Sequence, residues 1–193
     1  MTHAIAPHLG EDDLVIGVTP EGERISEELR IKNGLHKHCK AKEAKEILGN
    51  DIWDNYFKFS FVRNPWDLLV STYHWWLVTP WDDQWQTGKK IKELKNFEEY
   101  LFSPYRRQEG CSEFLFDDEG NCLVDFIGRQ ERINKDFAYA CGRTGLPNLK
   151  LPRRNTTKHN DFHQYYNEKT KNLVKKWLAQ DVTNFQYFFQ HGL

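Results

Sequence analysis

"YFKFSFVRNPWDLLVSTYHWW", residues 56–76, is the stretch that decides the fold. It opens with an apolar, aromatic run, residues 56–62, of the kind found in a strand buried largely on both faces inside a parallel sheet. The run stops at Arg63. Pro65 suits the first turn of a helix, with Asn64 as its cap. Beyond it Trp66, Leu69, Val70, Tyr73, Trp76 and Leu77 recur at steps of three and four, which predicts a helix with one apolar stripe. A buried strand, a cation and a capped helix therefore follow one another within 21 residues.

Reading outward, residues 14–18 (LVIGV) are a short strand candidate, followed by a turn at 19–23 (TPEGE). Residues 41–50 (AKEAKEILGN) form a helix closed by Gly49. A loop is expected at 79–88 and an amphipathic helix at 91–102. Residues 113–127 read as two strands joined by an Asp/Gly/Asn turn. The acidic "DDEGN" there lacks the spacing of a calcium loop. Residues 132–145 read as helical, 151–160 as a basic loop, and 163–188 as one long helix. Helices alternating with a few strands indicate an α/β fold, a parallel sheet flanked by helices, in a single domain over residues 1–193.

Composition narrows the function classes. The chain has 193 residues, 39% of them hydrophobic and 15% aromatic, enough for a ring-rich core. A formal charge of −1 gives no global attraction to nucleic acid or an anionic membrane, so any anion site must be local. No apolar run reaches the roughly 18 residues of a membrane span. Cys39, Cys111, Cys122 and Cys141 make no CxxC pair and read as free thiols of a reducing, cytoplasmic compartment. A secretory-pathway lumenal enzyme separated from its membrane anchor would look similar.

Arg63 falls where an α/β sheet binds ligands, beyond the carboxyl end of a strand. The helix that follows aims its free N–H groups at the same place. A guanidinium beside a helix N-terminus suits a phosphate or sulfate group. Asp67, Ser71 and His74 lie at i, i+4 and i+7, a polar seam from which Ser71 could add a hydroxyl. The same residues admit a plainer reading, in which Arg63 pairs with Asp67 and Ser71 merely packs.

The segment "FVRNPWDLLVSTYHWW" resembles the 3′-phosphate-binding segment of sulfotransferases, in particular the carbohydrate branch with the heparan 2-O- and chondroitin enzymes and bacterial relatives. That segment runs strand, Arg-(Asn/Asp)-Pro, then Ser on a helix, usually followed by an aromatic; here these are Arg63, Asn64, Pro65, Ser71 and Tyr73. The similarity continues through "DFIGRQERINKDF", "LPRRNTT" and the tyrosine-rich last helix. It implies a P-loop-NTPase-like sulfotransferase fold. It also implies that Arg63 and Ser71 hold the 3′-phosphate of 3′-phosphoadenosine 5′-phosphosulfate, the sulfuryl donor.

His36 and His38 stand two residues apart ahead of the helix at 41–50. If that step is extended, both imidazoles project to one side. A helix N-terminus disfavours the protonated ring and keeps it neutral, as a general base requires. Heparan-type 2-O-sulfotransferases carry a similar His-x-His with the second histidine as base, which implies His38 as base and His36 as accessory. Three other readings are zinc ligation together with His159 and His163, ordinary surface histidines, and a cap for the helix start.

The family's other signature, Pro-Lys-x-Gly-(Ser/Thr)-(Ser/Thr), has no match in the sequence. Its N–H groups and lysine cradle the 5′-phosphosulfate. In relatives it would precede "HLGEDDLVIG", so the reading here is a shortened polypeptide or a gene start set too late, with a natural loss second. The first strand and half the donor site would then be missing, and turnover weak or absent. The loop 151–160, with Arg153, Arg154, Lys158 and His159 beside Asn155 and Thr156, reads either as a nucleotide-binding loop or as a solvated one. Arg129 and Glu131 either support the site or form a surface pair. Trp75, Trp76, Trp81 and Trp85 either stack on a sugar or pack the core. The expectation is sulfuryl transfer to a hydroxyl of a carbohydrate or small-molecule acceptor, with no metal and no nucleic acid. The alternative is a non-catalytic nucleotide- or glycan-binding module of the same descent.

Overall fold

The structure, a computed structural model, describes residues 1–10, 13–80, 85–152 and 157–189. Its helices before the first strand are α1 (Thr2–Ile5), α2 (Pro20–Asn33), α3 (Ala41–Leu48) and α4 (Asn50–Asn55). After strand β1 (Phe59–Val62) come α5 (Pro65–Val78), α6 (Gln86–Lys92), α7 (Phe97–Phe102) and α8 (Ser112–Leu115). Strand β2 (Phe126–Arg129) is followed by α9 (Ile133–Arg143), α10 (Glu168–Trp177) and α11 (Ala179–Asn184). The chain divides into two compact units, residues 1–62 with 111–152, and residues 63–110 with 153–193.

In the first unit β1 and β2 pair in parallel, with Phe59 opposite Phe126 and Val62 opposite Arg129. This small parallel sheet among helices is the α/β arrangement expected, but it is not closed on both faces: only Val62 of β1 is buried. Asp125 fixes the start of the pair by accepting from the Lys58 amide at 2.7 Å. The Phe61 ring lies over Gly128, where a Cβ would come within 2.5 Å of it. The far end is tied by Asp136, 5% exposed, which accepts from the Arg129 amide at 2.7 Å and from Arg132 Nε at 2.8 Å. Helix α9 packs on β2 through Tyr139, whose ring centroid is 4.6 Å from that of Phe126.

The second unit is built on α5. Asn64 Oδ1 accepts from the Trp66 amide at 3.1 Å and Pro65 opens the helix, as its sequence specifies. Trp66, Leu69, Val70 and Tyr73 form the buried stripe. Tyr73 meets Phe97 and Tyr100 at centroid distances of 5.6 and 5.2 Å, while Phe97 meets Tyr166 at 5.2 Å.

Several expected elements differ. Residues 14–18 form no strand, because Gly17 and Val18 both have positive φ, 84° and 72°. "TPEGE" is not a free turn but the start of α2: Thr19 Oγ1 accepts from the Gly22 amide at 3.0 Å, with Pro20 in the first turn. The first of the two strands at 113–127 is replaced by α8 and a single bridge, Phe116 with Cys122, closed by Asp117 accepting from the Glu119 and Asn121 amides. The helix expected at 91–102 is two, α6 and α7, with Asn96 capping the second through the Glu99 amide at 3.0 Å. The single long helix at 163–188 is a 3-10 turn at Phe162–Tyr165 and then α10 and α11, interrupted at Leu178. All four cysteines are free thiols.

Candidate active site

The two groups of expected site residues fall in different units and are described separately. On α5, Arg63 Nε donates to Asp67 Oδ2 at 2.6 Å, one helical turn along. The plainer reading of Arg63 is thus realised, but only through that one nitrogen. Among the described residues the two terminal guanidinium nitrogens have no protein partner. The pair lays the arginine along the face that carries Asp67 and Ser71. The Asp67 carboxylate is thereby matched by charge rather than left to repel an anion. Ser71, half-buried, makes no hydrogen bond through Oγ among the described residues. Its neighbour Thr72, by contrast, returns its hydroxyl to the Leu68 carbonyl at 2.8 Å. Arg63 precedes and Ser71 follows Asp67 by four residues each, so both flank the carboxylate along the chain.

His74 continues the seam. Its ring stacks on His159 at 5.2 Å and 24° and meets Tyr165 edge-on at 5.3 Å. Its Nε2 is buried with no hydrogen-bond partner among the described residues. Burial first, and the nearby His159 second, hold its pKa below the usual imidazole value. The folded chain therefore resists a proton that the unfolded chain accepts. The stability that His74 confers is complete above the usual imidazole pKa and is lost as the pH falls through it. We expect the urea midpoint of the wild type to drop between pH 7 and pH 5, and His74→Phe to show a shallower drop, measured by far-ultraviolet dichroism at each pH. Equal slopes would show that His74 takes no part.

In the first unit, His36 and His38 lie in a turn, not the extended step expected. The Cys39 amide donates to the His36 carbonyl at 3.1 Å, and the His38 amide donates to His36 Nδ1 at 3.1 Å. The turn still keeps the rings together, with centroids 6.4 Å apart at 63°. His38 is exposed at the tip and begins three residues before α3. Its pKa is lowered by partial desolvation first and then by the charges of Lys37 and His36, with Glu23 acting weakly the other way. The cause is thus local burial and charge where a helix terminus was expected.

The zinc set of His36, His38, His159 and His163 loses a member. Both ring nitrogens of His163 face protein groups, Nδ1 the Asp161 carboxylate and Nε2 the Phe189 carbonyl at 2.8 Å. Asn155 and Thr156, with Arg153, Arg154 and Trp81, lie outside the described residues. Trp75 and Trp76 meet edge-on at 5.1 Å, and Trp85 is exposed. Sequence reasoning missed the stacking of His159 on His74; nothing in the loop spacing announces it. It placed Asp67 on the polar seam or as a partner of Arg63, and the structure shows that pairing through Nε alone.

A small parallel sheet among helices defines an α/β protein. The sequence pattern of the Sulfotransferase family matches residues 19–187, nearly the whole chain, and the protein belongs to that family. It is also similar to an uncharacterized protein of Archaeoglobus fulgidus, 27% identical over 124 residues, which cover 61% of this chain and 91% of that protein. No solved structure matches it.

Proposed function

We propose that the protein is a sulfotransferase of the carbohydrate branch. It would bind 3′-phosphoadenosine 5′-phosphosulfate and pass its sulfuryl group to a hydroxyl of a carbohydrate or other small-molecule acceptor. The observation that carries this reading is that the Arg63 terminal nitrogens, just ahead of α5, and the Ser71 hydroxyl on it have no partner among the described residues. In a chain of this family those two groups suit the 3′-phosphate of the donor. His38, exposed beside His36, is the proposed base. As the acceptor oxygen bonds to sulfur, the bond from sulfur to the bridging phosphate oxygen breaks. The acceptor proton passes to the His38 ring, and 3′,5′-adenosine bisphosphate leaves with the electron pair. His36 orients the His38 backbone through its Nδ1. Asn155 and Thr156 are proposed to bind the nucleotide. A P-loop-NTPase-like fold over the whole chain goes with this reading. Among the described residues, no helix is long and apolar enough to cross a membrane.

A second reading, a nucleotide- or glycan-binding module without chemistry, is favoured by one fact: these 193 residues contain no Pro-Lys-x-Gly-(Ser/Thr)-(Ser/Thr). Calorimetric titration with 3′,5′-adenosine bisphosphate tests what both readings share. Saturable micromolar binding is expected, and no heat at millimolar ligand would overturn both. The readings then part on a fusion that supplies the strand and the Pro-Lys-x-Gly segment ahead of residue 1. The enzyme reading expects donor affinity and turnover to rise. It also expects His38→Gln in that fusion to lower kcat by about 100-fold or more, with donor affinity kept. A fusion that binds tightly and never turns over would leave the module.

A further inference from the structure

The turn that carries His38 also gathers three metal-ligating side chains. The ligating atoms of His36, Cys39 and Glu43 all lie within 4.8 Å of one another. The spacing His-x2-Cys-x3-Glu produces this directly. The turn closed by the Cys39 amide on the His36 carbonyl brings those two side chains to one side. The first turn of α3 returns Glu43 beneath them, its carboxylate accepting from the Lys40 amide at 2.8 Å. Cys39 Sγ accepts from the His36 amide at 3.2 Å, and His36 Nδ1, the ring's lone-pair nitrogen, accepts from the His38 amide at 3.1 Å. Backbone amides hold Cys39 and Glu43 before any ligand arrives, as outer hydrogen bonds do around metal ligands, while the His38 amide gives up the His36 ring nitrogen when an ion binds there.

We infer that His36, Cys39 and Glu43 form a binding site for one divalent transition-metal ion of the zinc type, beside the proposed base His38. Four-coordinate zinc, with bonds of about 2.0–2.3 Å, sets its ligand atoms roughly 3.3–3.8 Å apart. Rotation of the side chains by an ångström or so therefore closes the triad. Sulfur and imidazole select zinc or cobalt over calcium and magnesium, which take oxygen. The charge environment permits the ion. Lys37 is drawn to Glu23 at 2.6 Å and Lys42 to Asp118, and Lys40 lies 3.8 Å from Glu113, so each of these ammonium groups has a carboxylate outside the triad within reach. His36 and Cys39 are half-buried and Glu43 is exposed, which leaves an entry path and a fourth position for water. On binding, the Cys39 thiol releases its proton to solvent and the metal–sulfur bond forms.

Cobalt is the probe. The untagged full chain, reduced and stripped with chelator, is titrated with Co²⁺ and then with Zn²⁺ against a chromophoric chelator. One ion per chain is expected, with a thiolate-to-cobalt charge-transfer band that zinc bleaches. Cys39→Ser should abolish the band. His36→Ala and Glu43→Gln should each weaken binding by about tenfold or more. Cys122→Ser, an exposed thiol elsewhere, should change nothing. Absence of the band from the wild-type chain would overturn the site, as would its survival in Cys39→Ser or unchanged affinity in the Glu43→Gln protein. Dichroism of each variant identifies any that fail to fold, and Glu43→Gln, at an exposed position, decides the matter if Cys39→Ser is one of them. A chain with the cobalt band and no affinity for the bisphosphate would keep this site and lose the sulfotransferase reading.

Discussion

Arg63→Ala is expected to weaken binding of 3′,5′-adenosine bisphosphate by about 10- to 100-fold, the cost of losing hydrogen bonds from a charged donor. Arg63→Lys should recover part of that loss, since it restores the charge without the planar fork. Asp67→Asn separates the two parts Arg63 can play. If the arginine exists to neutralise Asp67, both Arg63→Ala and Asp67→Asn change stability and neither changes ligand affinity. If the terminal nitrogens hold a phosphate, Asp67→Asn removes a competing negative charge and leaves affinity within about threefold or better. Calorimetry at one fixed ionic strength is the measurement, because exposed charge interactions are screened by salt. Equal affinity in the wild type and Arg63→Ala would end the case for the corner.

Trp66→Ala should cost the largest share of stability of any single change considered, about 3–5 kcal/mol. The side chain is 2% exposed. Its indole Nε1 donates to the Lys171 carbonyl at 3.1 Å, and its ring meets Phe189 edge-on at 5.6 Å. Its own carbonyl accepts from Tyr166 Oη at 2.8 Å. One residue thus joins the start of α5 to α10, to the segment after Tyr165 and to the C-terminal aromatics. Against a typical total of about 5–15 kcal/mol, such a loss leaves a chain near its unfolding threshold at room temperature. Val78→Ala, on the exposed end of the same helix, should stay within about 0.5 kcal/mol. Urea unfolding of both variants checks this; a Trp66→Ala midpoint equal to that of Val78→Ala would mean the tryptophan is not a core element.

The corner was legible because each of its parts has a local chemical cause. Asn64 before Pro65 states a capped helix start, and the steps from Trp66 to Tyr73 state which face goes inward. Gly49 closes α3 where expected, with φ of 78°. Helix α2 was also written in the sequence, in Thr19, Pro20 and the acids Glu21 and Glu23, yet its apolar face is sparse and the Pro-Gly pair reads equally as a turn. The break at Leu178 carries no glycine or proline, so periodicity ran straight through it. Residues 14–18 show the limit of hydropathy: the composition is that of a strand, and two consecutive positive φ angles forbid one. At the proposed site, residue types singled out Arg63, Ser71 and His38 as candidates. Their partners, Asp67 on the fork and the His38 amide on His36, depended on backbone geometry that spacing alone does not fix.

The register of β1 with β2 also governs the order of assembly. Lys58 and Asp125, bonded at the head of the pair, are 67 positions apart. Everything from Arg63 to Gly110 belongs to the other unit, so closing this ladder means drawing the first segment of the second body into a loop. The entropic toll of such a loop grows only with the logarithm of its length, but it falls due before any pairing rewards it. A nascent or truncated chain ending at Gly110 therefore holds β1 as an orphan strand, and neither unit can be excised as one continuous fragment.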